Sequence, residues 1–282
     1  MKKLIFIGEN CQVPPLRELL LQNPNIVNDF DIEVRANFSE FNKQSEEIDN
    51  LFRRADVYIY QPISEVHFHY HWKYVSENLL KPECIVISFP VLYFSGYWPD
   101  FKTRGNHRVN AIFPYSHTKL EEIISDCEQN VRDILYAAMN PYLFDKDEID
   151  TSVEQSIMEL ERRENDLDIQ VCDFIKNNYT KIRLFHTPNH PSTALMTVVT
   201  NKILTKLKYE TIKDNTASSE PLGIYQLLIY PSVMKRLNLE FINPQSNINL
   251  CSKINKYPNM PNTANIETYI KWFVYIMYNE EI

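Results

Sequence analysis

Cys11 is the residue whose type and place carry the sharpest chemistry in this chain. The apolar run at residues 3–7 leads through Gly8-Glu9-Asn10 to Cys11, and Gln12, Val13 and Pro14 follow, which predicts a turn between a strand and a helix. At such a turn the amides of the coming helix stabilise negative charge, which favours a thiolate and a nucleophilic sulfur. The competing reading is a small side chain packed beneath the helix, since free cysteine is among the most buried residue types. His190 is the matching base. It lies in His186-Thr187-Pro188-Asn189-His190-Pro191, where prolines restrict the backbone, and imidazole exchanges protons near neutral pH. Asn189 beside it is placed to orient the ring or a substrate carbonyl. A single loop histidine is also often structural or merely exposed.

Two further clusters carry less. His67, His69 and His71 alternate, and on a strand they would share one face as metal ligands do. The segment lies between Pro62 and a predicted helix, so a solvated or aromatic-packed loop is expected and no metal. Lys102, Arg104, His107 and Arg108 form a compact basic patch near Tyr97 and Trp98. It reads either as a solvated loop or as a seat for a phosphorylated ligand, with an aromatic for a flat ring.

The elements that must position these residues alternate in the N-terminal half. Strands are expected at residues 3–7, 32–36, 56–60 and 84–89, with helices at 14–21, 41–54 and 72–80. Strands separated by helices predict an α/β fold, a parallel sheet flanked by helices. In such a sheet ligands bind beyond the carboxyl ends of the strands, which gathers the turns after each one. From about residue 118 the pattern turns helical: a helix at 118–139, a helix or helix pair at 151–178, a strand at 182–185, and helices at 193–207 and 266–278. Residues 1–282 are expected to form a single α/β domain, with a sheet-rich part at 1–117 and a mainly helical part at 118–282 that contributes the His190 loop.

Composition narrows the class. The chain has 282 residues and a net charge of −8, which argues against general binding to nucleic acid or an anionic membrane. Only four glycines occur, Gly8, Gly96, Gly105 and Gly223, so neither glycine-rich phosphate loop can be written in its usual form. Asparagine is expected at some left-handed turns. Cys84, Cys127, Cys172 and Cys251 fall within structural patterns; with Cys11 they make an odd, widely spaced set without a Cys-x-x-Cys, against a disulfide framework or a structural zinc site. The apolar runs are too short to span a bilayer, and four apolar residues near the start are too few for a signal-peptide core, so a cytoplasmic location is expected.

Taken in order, these motifs resemble the WcbI-type capsular polysaccharide biosynthesis family. The matching residues are Gly8-Glu9-Asn10-Cys11-Gln12, Tyr60-Gln61-Pro62, Phe89-Pro90 with Tyr93-Phe94-Ser95-Gly96-Tyr97-Trp98-Pro99-Asp100, and Thr187-Pro188-Asn189-His190-Pro191, over roughly residues 1–210. The family usually shows Gly-Asn-Cys-Gln, whereas here Glu9 stands between Gly8 and Asn10. A more distant likeness, at fold level only, is to SGNH hydrolases, which place a nucleophile after the first strand and a late histidine in the same site.

The resemblance implies an enzyme that binds coenzyme A and moves an acetyl group from acetyl-CoA to a sugar hydroxyl of a glycan precursor, with no metal. On that basis His190 is the expected base and Cys11 an acyl-carrying nucleophile or part of the thioester pocket. Asn10, Gln61 and amides of the turn would stabilise the oxyanion. Gln12, Asn189, Tyr97, Trp98, Lys102, Arg104 and Arg108 would hold the cofactor. Two other readings stand beside it: an esterase or deacetylase with water as acceptor, and a non-catalytic glycan-binding module. The acceptor sugar and oligomeric state are not specified by the sequence.

Overall fold

The apolar run after Lys2 forms β1 (Lys3–Glu9), an inner strand of a four-stranded sheet in which every pairing is parallel. Its order is β2 (Phe30–Ala36), β1, β3 (Val57–Tyr60), β4 (Ile85–Ser88). Parallel neighbours need crossovers. These carry α1 (Val13–Leu20) and α2 (Pro24–Asp29), then α3 (Asn37–Glu40) and α4 (Glu46–Arg54), then α5 (Trp72–Asn78). The chain moves from β1 out to β2 and returns on the far side of β1. The direction of winding therefore reverses between β1 and β3, where the loops part and leave a crevice beyond the carboxyl ends. This is the α/β architecture expected from the alternating pattern.

The computed structural model describes residues 2–105, 109, 115–128, 130–213, 220–250 and 259–278. His107, Arg108 and Cys251 lie outside them. The chain divides into two compact units. The first comprises Met1–Tyr93, Glu159–Lys176 and Asn189–Leu222, and it holds the sheet. One face of that sheet buries Phe6, Tyr58 and Tyr60 against Phe41, Phe52, Tyr70 and Val75. Phe6 meets Phe52 edge to face at 4.8 Å, an arrangement favoured by aromatic quadrupoles. α4 presents Ile48, Leu51 and Phe52 inward, with acids in its first turn and Arg53 and Arg54 in its last, which complements the helix dipole. Beyond β4, Ser88 N–H donates to the Asp168 carboxylate at 3.0 Å and Ile169 N–H to the Ser88 carbonyl at 3.0 Å. Those bonds satisfy edge groups that would otherwise be exposed. The first unit also holds β8 (His190–Pro191) and α10 (Thr193–Lys206).

The second unit comprises Phe94–Met158, Asn177–Pro188 and Gly223–Ile282. It contains α6 (Thr118–Asp126), α7 (Val131–Ala138), α11 (Pro231–Leu237) and α12 (Ile266–Tyr278). β5 (Phe101–Lys102) pairs antiparallel with β6 (Ser116–His117). The expected helix pair appears as α8 (Lys146–Glu164), which belongs to this unit as far as Met158, and α9 (Cys172–Asn178), which belongs to the first unit as far as Lys176. Asp100 is buried here. Its Oδ1 lies 3.2 Å from His117 Nδ1, while Oδ2 accepts from Lys119 N–H at 3.2 Å and from the Tyr230 hydroxyl at 2.9 Å.

Several boundaries differ from expectation for local reasons. The helix expected at 118–139 is two, because Glu128 adopts φ 45° and Asn130 caps a new start by accepting from Arg132 and Asp133 N–H. The helix expected at 41–54 begins at Glu46, since Ser45 is extended at φ −142°, ψ 127°. The strand expected at 182–185 lies at β7 (Phe185–Thr187). Left-handed backbone occurs at Asn238, φ 49°, but also at Glu128 and Lys208, and no glycine has positive φ.

Candidate active site

The site is built where β1 and β3 end on either side of the switch point. In the last row of the sheet Gly8 stands beside Tyr60, and Tyr60 beside Ser88. Close approach is why position 8 holds glycine: a Cβ there would sit 2.7 Å from Phe41 Cε2 and 3.2 Å from the Tyr58 hydroxyl. Asn10 then turns the chain, its Oδ1 accepting from Gln12 N–H at 3.0 Å. Cys11 is half-buried at the tip of this turn. Val13 alone among the first three residues of α1 carries an N–H, because Pro14 and Pro15 follow. The helix end therefore offers fewer amide donors to an anion than the turn alone predicts.

Two buried glutamines tie four loops together. Gln61, 1% exposed, donates from Nε2 to Gln12 Oε1 at 2.8 Å and to the Pro90 carbonyl at 3.1 Å, and its Oε1 accepts from Asn10 N–H at 3.2 Å. Gln12, 0% exposed, donates from Nε2 to the carbonyls of Leu92 at 3.0 Å and Asn189 at 3.1 Å. Each amide thus uses both hydrogens and its oxygen, a fully satisfied network in a dry setting. The turn after β1, the residue after β3, the loop after β4 and the Asn189 loop are held in one arrangement.

That network corrects two expectations. Gln61 has no hydrogen left for an oxyanion, and Gln12 has none left for a cofactor. Both position the turn instead. Asn189 does face the thiol: its Nδ2 lies 3.9 Å from Cys11 Sγ, within donor reach of sulfur, which fixes the direction of that side chain. His190 follows directly, half-buried in β8. Its loop is secured on the far side by Ser192, whose hydroxyl accepts from Leu195 N–H, and by Glu220, whose carboxylate accepts from Thr193 N–H at 2.8 Å. The structure sets Asn189 Nδ2 against Cys11 Sγ, with His190 the next residue along the chain. Sequence reasoning missed the carbonyls of Pro90 and Leu92 and the lock at Glu220; a glutamine directly after β3 and another three residues after β1 were the available signal.

The loop expected to seat a phosphorylated ligand lies in the second unit. Tyr97 is fully buried, and its hydroxyl donates to the Tyr179 carbonyl at 2.5 Å. Trp98 is buried as well. Neither presents an open face on which a base could stack, so both are core side chains. Lys102 donates to Glu121 at 2.7 Å, and Arg104 is exposed. Trp98, Pro99 and Phe101 border a cleft of about 520 Å³ whose other walls include Asp145, Asp147 and Glu148, the sign opposite to what phosphate requires. His69 packs against the Tyr70 and Tyr74 rings, as an aromatic-packed loop predicts. Among the described residues no group of three or more His, Cys, Asp or Glu is placed to hold a metal ion. Among the described residues no helix is long and apolar enough to cross a membrane.

The comparisons with known proteins fall in the same place. The family model described as polysaccharide biosynthesis enzyme WcbI matches residues 4–211. No curated protein matches the chain in sequence. A solved structure shares the fold with a TM-score of 0.77 at 21% identity, over 98% of this chain and 90% of the other. That protein is described as WcbI, a novel polysaccharide biosynthesis enzyme, in its native form without a disulfide bond between coenzyme A and one of its cysteines. With residues 4–211 matched, the chain belongs to the WcbI family of polysaccharide biosynthesis enzymes.

Proposed function

We propose that this enzyme transfers an acyl group from a coenzyme A thioester to a hydroxyl of a carbohydrate acceptor, with Cys11 and His190 at the reacting centre. The observation that carries this reading is the bond from Gln12 to the Asn189 carbonyl, which joins the residue after Cys11 to the residue before His190. The solved relative, whose description names coenzyme A and a cysteine, supports the choice of donor. The thiol end of that donor fits this turn, which presents a half-buried sulfur and amide donors. The adenine end does not find its expected seat on Tyr97 and Trp98, which are core residues.

When bound, the thioester supplies an activated acyl carbon. His190 takes the proton of the acceptor hydroxyl as its oxygen bonds to that carbon, and returns a proton to the departing thiolate. Asn189 Nδ2 fixes the Cys11 sulfur. Asn10 Nδ2 and the Val13 N–H are the donors proposed for the developing oxyanion, since Gln61 is committed elsewhere. Removing a general base of this kind lowers turnover by about 100- to 10,000-fold.

The test starts with coenzyme A and acetyl-CoA titrated against the melting temperature, because a ligand that binds the folded state raises it. A rise with both, and an acetyl adduct on intact protein that Cys11→Ser abolishes, supports a covalent route. A rise without an adduct supports direct transfer. No rise with either ligand overturns the reading. Turnover of an activated acetyl ester without coenzyme A would instead assign a hydrolase that uses water as acceptor.

A further inference from the structure

A column of three rings runs from the core to the surface at the carboxyl end of β3. Tyr58 packs on Phe52 with centroids 5.1 Å apart. Tyr60 stacks on Tyr58 at 5.1 Å with planes 6° apart, and Trp72 stacks on Tyr60 at 5.1 Å and 14°. Trp72, at the outer end, is 40% exposed although Tyr60 covers one of its faces. An indole backed so firmly has a fixed orientation and turns an apolar surface to solvent.

The position of this surface matters as much as its flatness. Tyr60 belongs to the last row of the sheet, beside Gly8, three residues before Cys11. Successive strand residues point to opposite faces, so Tyr60 leads to Trp72 on one face while Gln61 joins the Cys11 turn on the other. The segment from Gln61 to Trp72 carries no Lys or Arg and one acid, Glu65. Exposed Lys73 follows the indole directly, so a phosphorylated ligand is not shut out by charge, but the indole face itself is neutral and apolar and suits a neutral ring.

We propose that the exposed indole of Trp72 is the platform on which a neutral pyranose ring of the carbohydrate acceptor lies. The C–H face of the sugar packs on the indole, and its hydroxyl edge stays in solvent. The inference rests on the acyl-transfer reading for the reaction, but the platform itself is tested without any donor.

The probes are the methyl glycosides of glucose, galactose, mannose and N-acetylglucosamine, followed by saturation-transfer NMR. The wild type should pass saturation to ring C–H protons of at least one of them. Trp72→Ala should weaken that glycoside about tenfold, the scale of one aromatic contact, and Trp72→Phe should largely retain it. Both variants should keep the wild-type response of the melting temperature to coenzyme A. Absence of transfer from the wild type, equal transfer in Trp72→Ala, or equal loss in the Phe and Ala variants each overturns the platform. So does a loss of the coenzyme A response in Trp72→Ala, which would assign the indole to the nucleotide. A wild type that passes saturation but ignores coenzyme A would instead strike the acyl-transfer reading and leave the platform standing.

Discussion

Gln61 Nε2 and Gln12 Oε1 lie 2.8 Å apart in a region closed to solvent, and through that one bond the residue after β3 holds the residue after Cys11. Neither amide can be replaced by a group of similar shape without leaving partners unmet. Gln61 alone serves Gln12, the Pro90 carbonyl and Asn10 N–H.

Gln61→Leu strands those three groups, and each buried unmet partner costs about 1–3 kcal/mol, so a loss of at least about 3 kcal/mol is expected. Gln61→Glu should show a pH signature as well. Burial raises the folded pKa of the new carboxyl above its unfolded value near 4.3. The variant is then least impaired below that value, and its stability falls as pH rises through the folded pKa. Urea melts at acid and neutral pH should show the gap from wild type widening towards neutral. A constant gap would mean the network is not dry.

Gly8→Ala tests the close approach that sets the turn. The new Cβ would meet Phe41 at 2.7 Å, and Phe41 is itself held by Phe6, Phe52 and Tyr70. With the ring unable to swing away, overpacking should cost about 1–3 kcal/mol. Thermal melts of the variant that match the wild type would show that the ring yields.

The parallel sheet was legible because each strand is a short apolar run closed by a turn residue, as in residues 3–7 before Gly8. The pairing of Cys11 with the Asn189–His190 loop was read from the rule that a parallel sheet gathers the turns after its strands and from the resemblance, since 178 residues separate Cys11 from Asn189 and no local pattern predicts that contact. The roles of Gln12 and Gln61 were misread for a related reason. A glutamine beside a strand end looks the same whether its hydrogens face a ligand or neighbouring carbonyls, and only the fold shows Pro90 and Leu92 in the way. Tyr97 and Trp98 were misread likewise: aromatic residues next to a basic stretch resemble a stacking seat until burial is known. The split at Glu128 was hidden because glutamate seldom adopts positive φ.

Thiol chemistry should separate the cysteines. Burial pushes the Cys84 and Cys172 thiols up to about 11. At pH 8 only about one molecule in a thousand is then a thiolate at either position, and the thiolate is the reactive form. Limited iodoacetamide treatment followed by peptide mass spectrometry should modify Cys11 before Cys84 and Cys172. Cys84 and Cys172 should gain speed steeply as pH approaches 11. Equal rates at pH 8 would contradict the burial argument.

Asp56 staples the amino ends of three strands. Its carboxylate accepts from Lys81 at 2.7 Å and from Leu4 N–H at 2.7 Å, and its carbonyl accepts from Ile85 N–H at 2.9 Å. The Lys81 and Leu4 bonds hold its pKa below the ordinary value. A depressed carboxyl stabilises the fold above its unfolded pKa, and the contribution is lost as pH falls through the folded pKa. The pair is partly exposed, so Asp56→Asn should cost only about 1 kcal/mol at neutral pH. Variant and wild type should converge in acid; a deficit that persists there would point to lost geometry rather than lost charge.

Asp100 closes the aromatic motif that the resemblance places among functional residues, yet its carboxyl is buried within the second unit and collects three partners. The Tyr230 hydroxyl is one of them. Burial first, and the neighbouring Asp100 next, raise that phenol well above its usual pKa, so it stays protonated and donates at every ordinary pH. Lys119 N–H, in the first turn of α6, is a second donor, which ties the motif to the start of a helix. A residue so enclosed acts on the fold. Tyr230→Phe removes one hydrogen bond to the carboxyl and should cost about 1.5–3 kcal/mol. In a chain of this size that lowers the melting temperature by roughly 3–12 °C. Turnover measured well below the melting temperature should be unchanged, because the phenol hydroxyl is spent on Asp100 within the second unit. A fall in turnover with stability intact would move Asp100 and Tyr230 from the framework into the chemistry.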